Sequence, residues 1–379
     1  MENILHLGKF SNQQVGGIET VVDTLLSGLS VDFKLFNLVA NNSFRNSVID
    51  QTGYIEYSAA LAGMFARTPV CPTMPLQIKK LYQRYQFSIV HLHLPNPMAH
   101  LASQFLPDSV KRIISWHSDV IRQKKLLRIY QPFVNRLLKQ ASALIVSTPY
   151  LAEHSSQIKT ARERNIIRTI PYGVNFDYFF INQYQEQIDQ IRRQYLNRFL
   201  VFALGRHVYY KGFCYLIDAM QQLPKNIVLL LGGEGPLTPK LQQQVKILKL
   251  EHQVFFLGQI AKQNLPAYYH ACDMFCLPSI NQSEAFGIAQ LEAMACSKPV
   301  ICCDVTHAAS NLNQDGITGF VVSPGCAAAL ANAIYKLYLN PGLRQTLGSA
   351  AYLYAKENFT TQKMVAQIKD IYQEIQHFN

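Results

Sequence analysis

Negative charge, long apolar runs and paired cysteines are what this chain has least of. Only 24 residues are acidic against 35 Lys and Arg, and charged residues of both signs make up 16% of the total. With 49% hydrophobic residues among 379, burial is easy and disorder is excluded on composition. No apolar run approaches the roughly 20 residues that a membrane span needs. Phe199-Leu200-Val201-Phe202-Ala203-Leu204 has the length of a buried strand instead. The first residues carry no basic leader and too short an apolar stretch for a signal peptide, so a cytoplasmic protein is expected. The eight cysteines form no Cys-x-x-Cys pair or regular framework. They are expected to be small buried hydrophobes in a reducing compartment rather than disulfides or metal ligands. Also missing are the Gly-x-Gly-x-x-Gly dinucleotide signature, a Walker-type Gly-Lys-Ser/Thr and an Asp-x-Asp pair for a divalent ion.

What is present is a length suited to two domains and an uneven charge. Residues 1–180 hold 19 Lys and Arg against 11 Asp and Glu, whereas residues 181–379 hold 16 against 13. Lys111, Arg112, Arg122, Lys124, Lys125, Arg128, Arg136 and Lys139 form a basic stripe interleaved with Leu126, Leu127, Ile129, Phe133 and Leu137. Such a stripe suits anionic lipid headgroups or phosphorylated substrates, or is an ordinary solvated helix face. No familiar nucleic-acid module accompanies it, so a nucleic-acid partner is not expected.

Short β-rich runs alternate with helical stretches, which predicts parallel sheets with crossover helices. Strands are expected at Asn3–Leu7, Leu35–Val39, Ser88–Leu92, Arg112–Trp116, Ala143–Val146 and Arg168–Pro171. A second series runs through Leu200–Leu204, Asn226–Leu231, Gln253–Leu257, Met274–Leu277, Pro299–Cys303 and Phe320–Val322. Polar, Gln-rich residues 181–197 read as a linker between domains 1–180 and 198–358. A terminal helix, 359–379, can pack back on the N-terminal domain. Ligands in open parallel sheets sit beyond the carboxyl ends of the strands, and between two such domains the cleft is the expected site.

Four loops after expected strands carry candidate chemistry. Gly16 and Gly17 free backbone amides at a helix start, where an anion is favoured. In Gly205-Arg206-His207-Val208-Tyr209-Tyr210-Lys211-Gly212, the fork of Arg206 and the point charge of Lys211 can hold one diphosphate together. Gly232-Gly233-Glu234-Gly235-Pro236 permits close approach to a nucleotide, or is only a tight turn. Ser115-Trp116-His117-Ser118-Asp119 places His117 beside the single Trp and the basic stripe, where it can donate to a substrate hydroxyl. His91 and His93 share one face of a strand, but no Cys, Asp or Glu stands at ligand spacing, so no metal is expected. Glu284 and Glu292 lie eight residues apart, about two helical turns and roughly 12 Å of rise. Carboxylates so placed cannot share a proton or a metal, but they can grip hydroxyls at two ends of an extended polar ligand.

The collinear set Gly16-Gly17-Ile18-Glu19, Trp116-His117-Ser118-Asp119, Pro171-Tyr172-Gly173-Val174, Gly205-Arg206 with Lys211-Gly212, Gly233-Glu234-Gly235-Pro236, Leu277-Pro278-Ser279, Glu284-x7-Glu292 and Gly319-Phe320-Val321-Val322 resembles retaining GT-B glycosyltransferases. It spans nearly the whole chain. The resemblance implies two Rossmann-like doubly wound α/β domains facing across a central cleft, acceptor side first and nucleotide-sugar side second. It implies that Arg206 and Lys211 hold the donor diphosphate and stabilise the leaving group. Glu284 would hold the sugar hydroxyls and Glu292 the ribose. Glu234, Gly235 and Pro236 would lie near the base, Gly16 and Gly17 near the phosphates or acceptor, and the amides of Phe286, Gly287 and Ile288 would add phosphate contacts. His117 would touch the sugar.

The implied activity is transfer of a hexose, mannose first, from a GDP- or UDP-sugar to a glycan or polyprenyl-diphosphate-linked acceptor in surface polysaccharide synthesis. No metal or other cofactor is expected, and the basic N-terminal domain would meet the inner face of the membrane. Two departures stand out. Residues Thr306-His307-Ala308-Ala309-Ser310-Asn311 replace a segment that is Gly-rich in the family, and Cys326 stands where Asp is usual. The first leaves open a catalytically weak sugar-nucleotide-binding subunit. A nucleotide-sugar epimerase or hydrolase of the same fold is the other alternative.

Overall fold

The computed structural model describes residues 1–11, 17–65, 68–121, 123–305 and 312–377. The chain divides into two compact units, Met1–Gly173 with Thr361–Asn379, and Val174–Thr360.

Among the described residues of the first unit, eight strands form one sheet. Their order is Ile167–Thr169, Ala141–Val146, Lys111–Trp116, Ile89–Leu94, Asn3–Phe10, Lys34–Ala40, Tyr54–Ala59 and Ser47–Gln51. All neighbours are parallel except the last pair. Ile89–Leu94 is buried at every position, as a central parallel strand covered on both faces must be. Two strands not expected from the sequence, the edge strand Ser47–Gln51 and its antiparallel neighbour Tyr54–Ala59, form a hairpin at one end of the sheet. Helix Thr361–His377 belongs to this unit: it runs beside helix Gly17–Leu29, and Lys369 reaches Asp32 at 2.5 Å.

In the second unit all six described strands are parallel. Their order is Val254–Gly258, Ile227–Gly232, Phe199–Leu204, Met274–Leu277, Val300–Cys303 and Gly319–Val322. The strand order reverses beside Phe199–Leu204. Residues 181–197 are not a free connection, and the division falls at Gly173 rather than at 180. Helix Gln185–Gln194 buries Ile188 and Ile191 against the helix Leu265–Ala271. Arg192 clamps Asp273 through two contacts of 3.1 Å, and Asp273 also accepts from the Leu200 amide at 2.7 Å. The Ile pair, three apart among glutamines, is the amphipathic signal that composition conceals.

Candidate functional site

The point where strand order reverses in a doubly wound sheet opens a crevice beyond the strand ends. In the second unit it lies between Phe199–Leu204 and Met274–Leu277, so the loops that follow them, 205–212 and 278–287, flank it. These loops are fastened together by the Ile280 amide, which donates to the Tyr210 carbonyl at 2.8 Å. Gly212 makes the approach possible: it has φ +66°, and a Cβ there would lie 2.0 Å from the Pro278 carbonyl oxygen.

Lys211, at the end of the turn Tyr209–Lys211, points its Nζ at Glu284 Oε2, 2.6 Å away. Ser279 donates to the same oxygen at 2.8 Å. Both ionic side chains are nearly buried. Burial pulls the Lys211 pKa down, but the Glu284 carboxylate and Tyr210 together outweigh it and the net shift is upward. Arg206 is exposed on the same loop. The neighbouring loop joins through the His207 amide, which donates to the Glu234 carbonyl at 3.0 Å. Glu234 and Pro236 are exposed there, with Gly235 between them.

Glu284 does not share a helix with Glu292, contrary to the spacing argument. Gly287, at φ +85°, is left-handed and the helix begins only at Ile288. Glu284 is therefore a loop residue held by Lys211 and Ser279, while Glu292 sits one turn into helix Ile288–Ala295. Phe286 is buried just ahead of that helix start. Tyr269 donates to Glu292 Oε2 at 2.6 Å. Burial raises the Glu292 pKa to about 7, against the opposing hydrogen bond from Tyr269 and the charge of Lys262. Ser279 and Tyr269 were not singled out from the sequence. Ser279 lies within a motif residue run, whereas nothing local marks Tyr269.

In the first unit, Gly17 starts helix Gly17–Leu29 and is exposed. Gly16, Arg122 and the departure Thr306–Asn311 lie outside the described residues. His117 follows strand Lys111–Trp116 and is 3% exposed. Both of its nitrogens have protein partners: Nδ1 meets the Tyr172 hydroxyl at 2.5 Å and Nε2 meets His93 Nδ1 at 3.1 Å. It does not present a free N–H to a ligand in this conformation. Asp119 accepts from Trp116 Nε1 at 2.9 Å and Ser155 Oγ at 2.7 Å.

His6, His91 and His93 come close enough to suggest a metal triad. One ring nitrogen from each lies within 4.8 Å of the others; the rings of His91 and His93, and of His6 and His93, are 22° from parallel, and those of His6 and His91 are 42°. Hydrogen bonds take up the ring nitrogens. The arrangement fits neutral imidazoles better than ligands whose lone pairs must meet at one ion.

The basic stripe is only partly a surface feature. Arg112 is buried and donates to the Leu106 and Val110 carbonyls at 3.1 and 3.2 Å. In helix Lys124–Gln140, however, Lys125, Arg128, Arg136 and Lys139 are exposed. Ile129 and Phe133 beside them are 71% and 59% exposed. Among the described residues no helix is long and apolar enough to cross a membrane.

Known families agree with this architecture. Residues 15–178 match the model for Glycosyltransferase Family 4, and residues 185–354 match that for Glycosyl transferases group 1. The chain belongs to the group 1 glycosyltransferases of GT-B fold, with two Rossmann-like units. It is 26% identical over 377 residues to an O-antigen chain mannosyltransferase of Escherichia coli, covering 97% of each chain. Identity to a D-rhamnosyltransferase of Pseudomonas aeruginosa is 29% over 360 residues, 94% of this chain and 92% of that one. A sucrose-phosphate synthase from Thermosynechococcus elongatus superposes with a TM-score of 0.83 at 22% identity over all of both chains.

Proposed function

We propose that this glycosyltransferase moves a hexose, mannose first, from a nucleotide diphosphate sugar to a glycan or lipid-linked acceptor, with retention of anomeric configuration. The observation that carries the reading is the Lys211–Glu284–Ser279 cluster at the reversal point of the second unit. A donor diphosphate would replace Glu284 as the partner of Lys211 and draw in Arg206. The leaving charge is then met by two cations and by the first amides of helix Ile288–Ala295, without a metal. Glu284, released from Lys211, would accept from sugar hydroxyls, and an ionised Glu292 would accept from the ribose. Glu234, Gly235 and Pro236 would border the base. His117 would donate to a sugar hydroxyl that takes the place of Tyr172 at Nδ1. The mannose assignment is supported by the E. coli relative, and GDP and UDP are both candidate carriers.

Replacing Glu284 by Ala should lower transfer from GDP-mannose about 10²–10³-fold, the scale of losing one transition-state contact in a water-poor site. Unaltered transfer from every competent donor would remove the site assignment. The same proposal places helix Lys124–Gln140 on an anionic membrane surface bearing the acceptor. Vesicles containing phosphatidylglycerol should bind the protein several-fold better than neutral ones, and Phe133→Asp should erase the difference.

A further inference from the structure

The first unit contains a buried chain of polar groups joined end to end. Ser115 Oγ meets His91 Nε2 at 2.8 Å, and His91 Nδ1 meets the Tyr372 hydroxyl at 2.6 Å. That hydroxyl meets His6 Nε2 at 3.2 Å, and His6 Nδ1 meets His93 Nε2 at 3.0 Å. His93 then reaches His117, and His117 reaches Tyr172. The sheet makes this possible. His6 stands opposite His91 in the strand ladder and His93 opposite Ser115, so three neighbouring strands present one column of polar side chains. Helix Thr361–His377 supplies Tyr372 from outside the sheet.

Each neutral imidazole brings one proton and can accept one, whereas a hydroxyl brings one and can accept two. Seven such groups make six contacts here. A buried contact holding no proton, or two, is penalised. With the buried Tyr372 proton also used inside the chain, every contact holds one proton only when all members donate in the same sense, and two senses exist. The two ends differ: Tyr172 also has a side-chain hydrogen bond with Ser147, so Ser115 decides between them. Among the described residues its hydroxyl meets one polar partner, His91 Nε2, so its proton is used only when it donates there. The rest follows in order: His91 donates from Nδ1 to Tyr372, Tyr372 to His6 Nε2, His6 from Nδ1 to His93, His93 from Nδ1 to His117, and His117 from Nδ1 to Tyr172. Burial keeps the imidazoles neutral, with His6 lowered to about 3, His117 to about 4, and His91 and His93 well below their ordinary value.

We propose that Ser115 and Tyr372 are positioning residues that lock His117, through His91, His6 and His93, in the Nδ1–H tautomer. The functional meaning rests on the reading of His117 as a donor to substrate. In this sense of the chain, a hydroxyl arriving in place of Tyr172 finds an N–H. In the reverse sense it would find a lone pair. Breaking the chain at Tyr372 leaves His6, His93 and His117 free to reverse together, because neither sense then satisfies His6 Nε2.

Long-range ¹H–¹⁵N correlation spectra of the full-length protein labelled in histidine would read the tautomers directly. The parent should show His117 as a single Nδ1–H form. Tyr372→Phe, which keeps the ring that packs on Phe33 at 5.5 Å, should turn it into a mixture, and Ser115→Ala should do the same. Phe33→Leu, which disturbs only packing, should leave the signal unchanged. In Tyr372→Phe, kcat for transfer should fall roughly tenfold while KM for the donor stays constant. An Nε2–H form in the parent would overturn the proposal. So would an unchanged His117 signal in Tyr372→Phe and Ser115→Ala with folding intact. Absence of transfer by the parent would sink the enzymatic reading and leave the tautomer result standing.

Discussion

The two units share a doubly wound parallel plan, yet they treat polar groups at their sheets in opposite ways. In strands Asn3–Phe10 and Ile89–Leu94 the first buries neutral imidazoles and satisfies them with one another. The second keeps charge: an ion pair, Lys211 with Glu284, and a carboxyl, Glu292, raised to about 7. One solution holds protons in fixed places, whereas the other holds charge where an anionic ligand can claim it. The contrast shows that a shared architecture sets where polar groups collect and leaves their electrostatic form to a few side chains.

Acid should separate the units most. In the first, the folded pKa values of His6, His100 and His117 lie at about 3, 4 and 4, below an unfolded value of roughly 6.5. The unfolded state therefore binds more protons, so stability is full above about pH 6.5 and is lost as the pH falls toward 4. Each group costs up to about 1.4 kcal/mol per pH unit over that window. In the second unit Glu292 acts with the opposite sign and offsets His207 and His270, whose pKa values burial also lowers. Its folded pKa lies above the unfolded one, so it gains stability as the pH falls from about 7 toward 4.5. Hydrogen exchange at pH 7.5 and 5.5 should show faster opening of strands Asn3–Phe10 and Ile89–Leu94 in acid. Strand Phe199–Leu204 should change little. Parallel acceleration in both would erase the contrast.

Tyr269→Phe sharpens the same comparison on the charged side. It removes a hydrogen bond that holds the Glu292 pKa down, so the carboxyl should titrate above 7 and fewer molecules be ionised at neutral pH. Donor affinity at pH 7 should weaken about tenfold, the weight of one hydrogen bond to a charged group, and recover in part by pH 8.5. Titration of donor against the variant across pH would check this.

The smallest effect concerns Cys326, which caps helix Ala327–Leu339 without a side-chain hydrogen bond. Cys326→Asp should stabilise the second unit by about 1 kcal/mol in a urea titration and leave the first unchanged.

Much of the fold was legible because buried parallel strands such as Phe199–Leu204 and Ile227–Gly232 are continuous apolar runs. The position of Lys211, Glu284 and the glycine loops after those strands was legible, whereas the helical spacing read between Glu284 and Glu292 did not hold, because Gly287 breaks the backbone ahead of Ile288. The Glu292 environment was not, since Tyr269 comes from another helix and leaves no local pattern. The histidine chain was half visible: His91 and His93 alternate on one strand, but His6 and Tyr372 are 366 residues apart. Helix Gln185–Gln194 was hidden because two isoleucines and one ion pair hold it among polar residues. Where tertiary partners decide a residue's state, neighbours in sequence carry no trace of it.

Calorimetric titration of GDP and UDP into the parent and Lys211→Ala tests the central claim, that the second unit holds the donor diphosphate. At least one nucleotide should bind the parent, and the folded variant should bind it at least about tenfold more weakly, a difference of about 1.4 kcal/mol. Equal affinity in the two proteins would contradict the account.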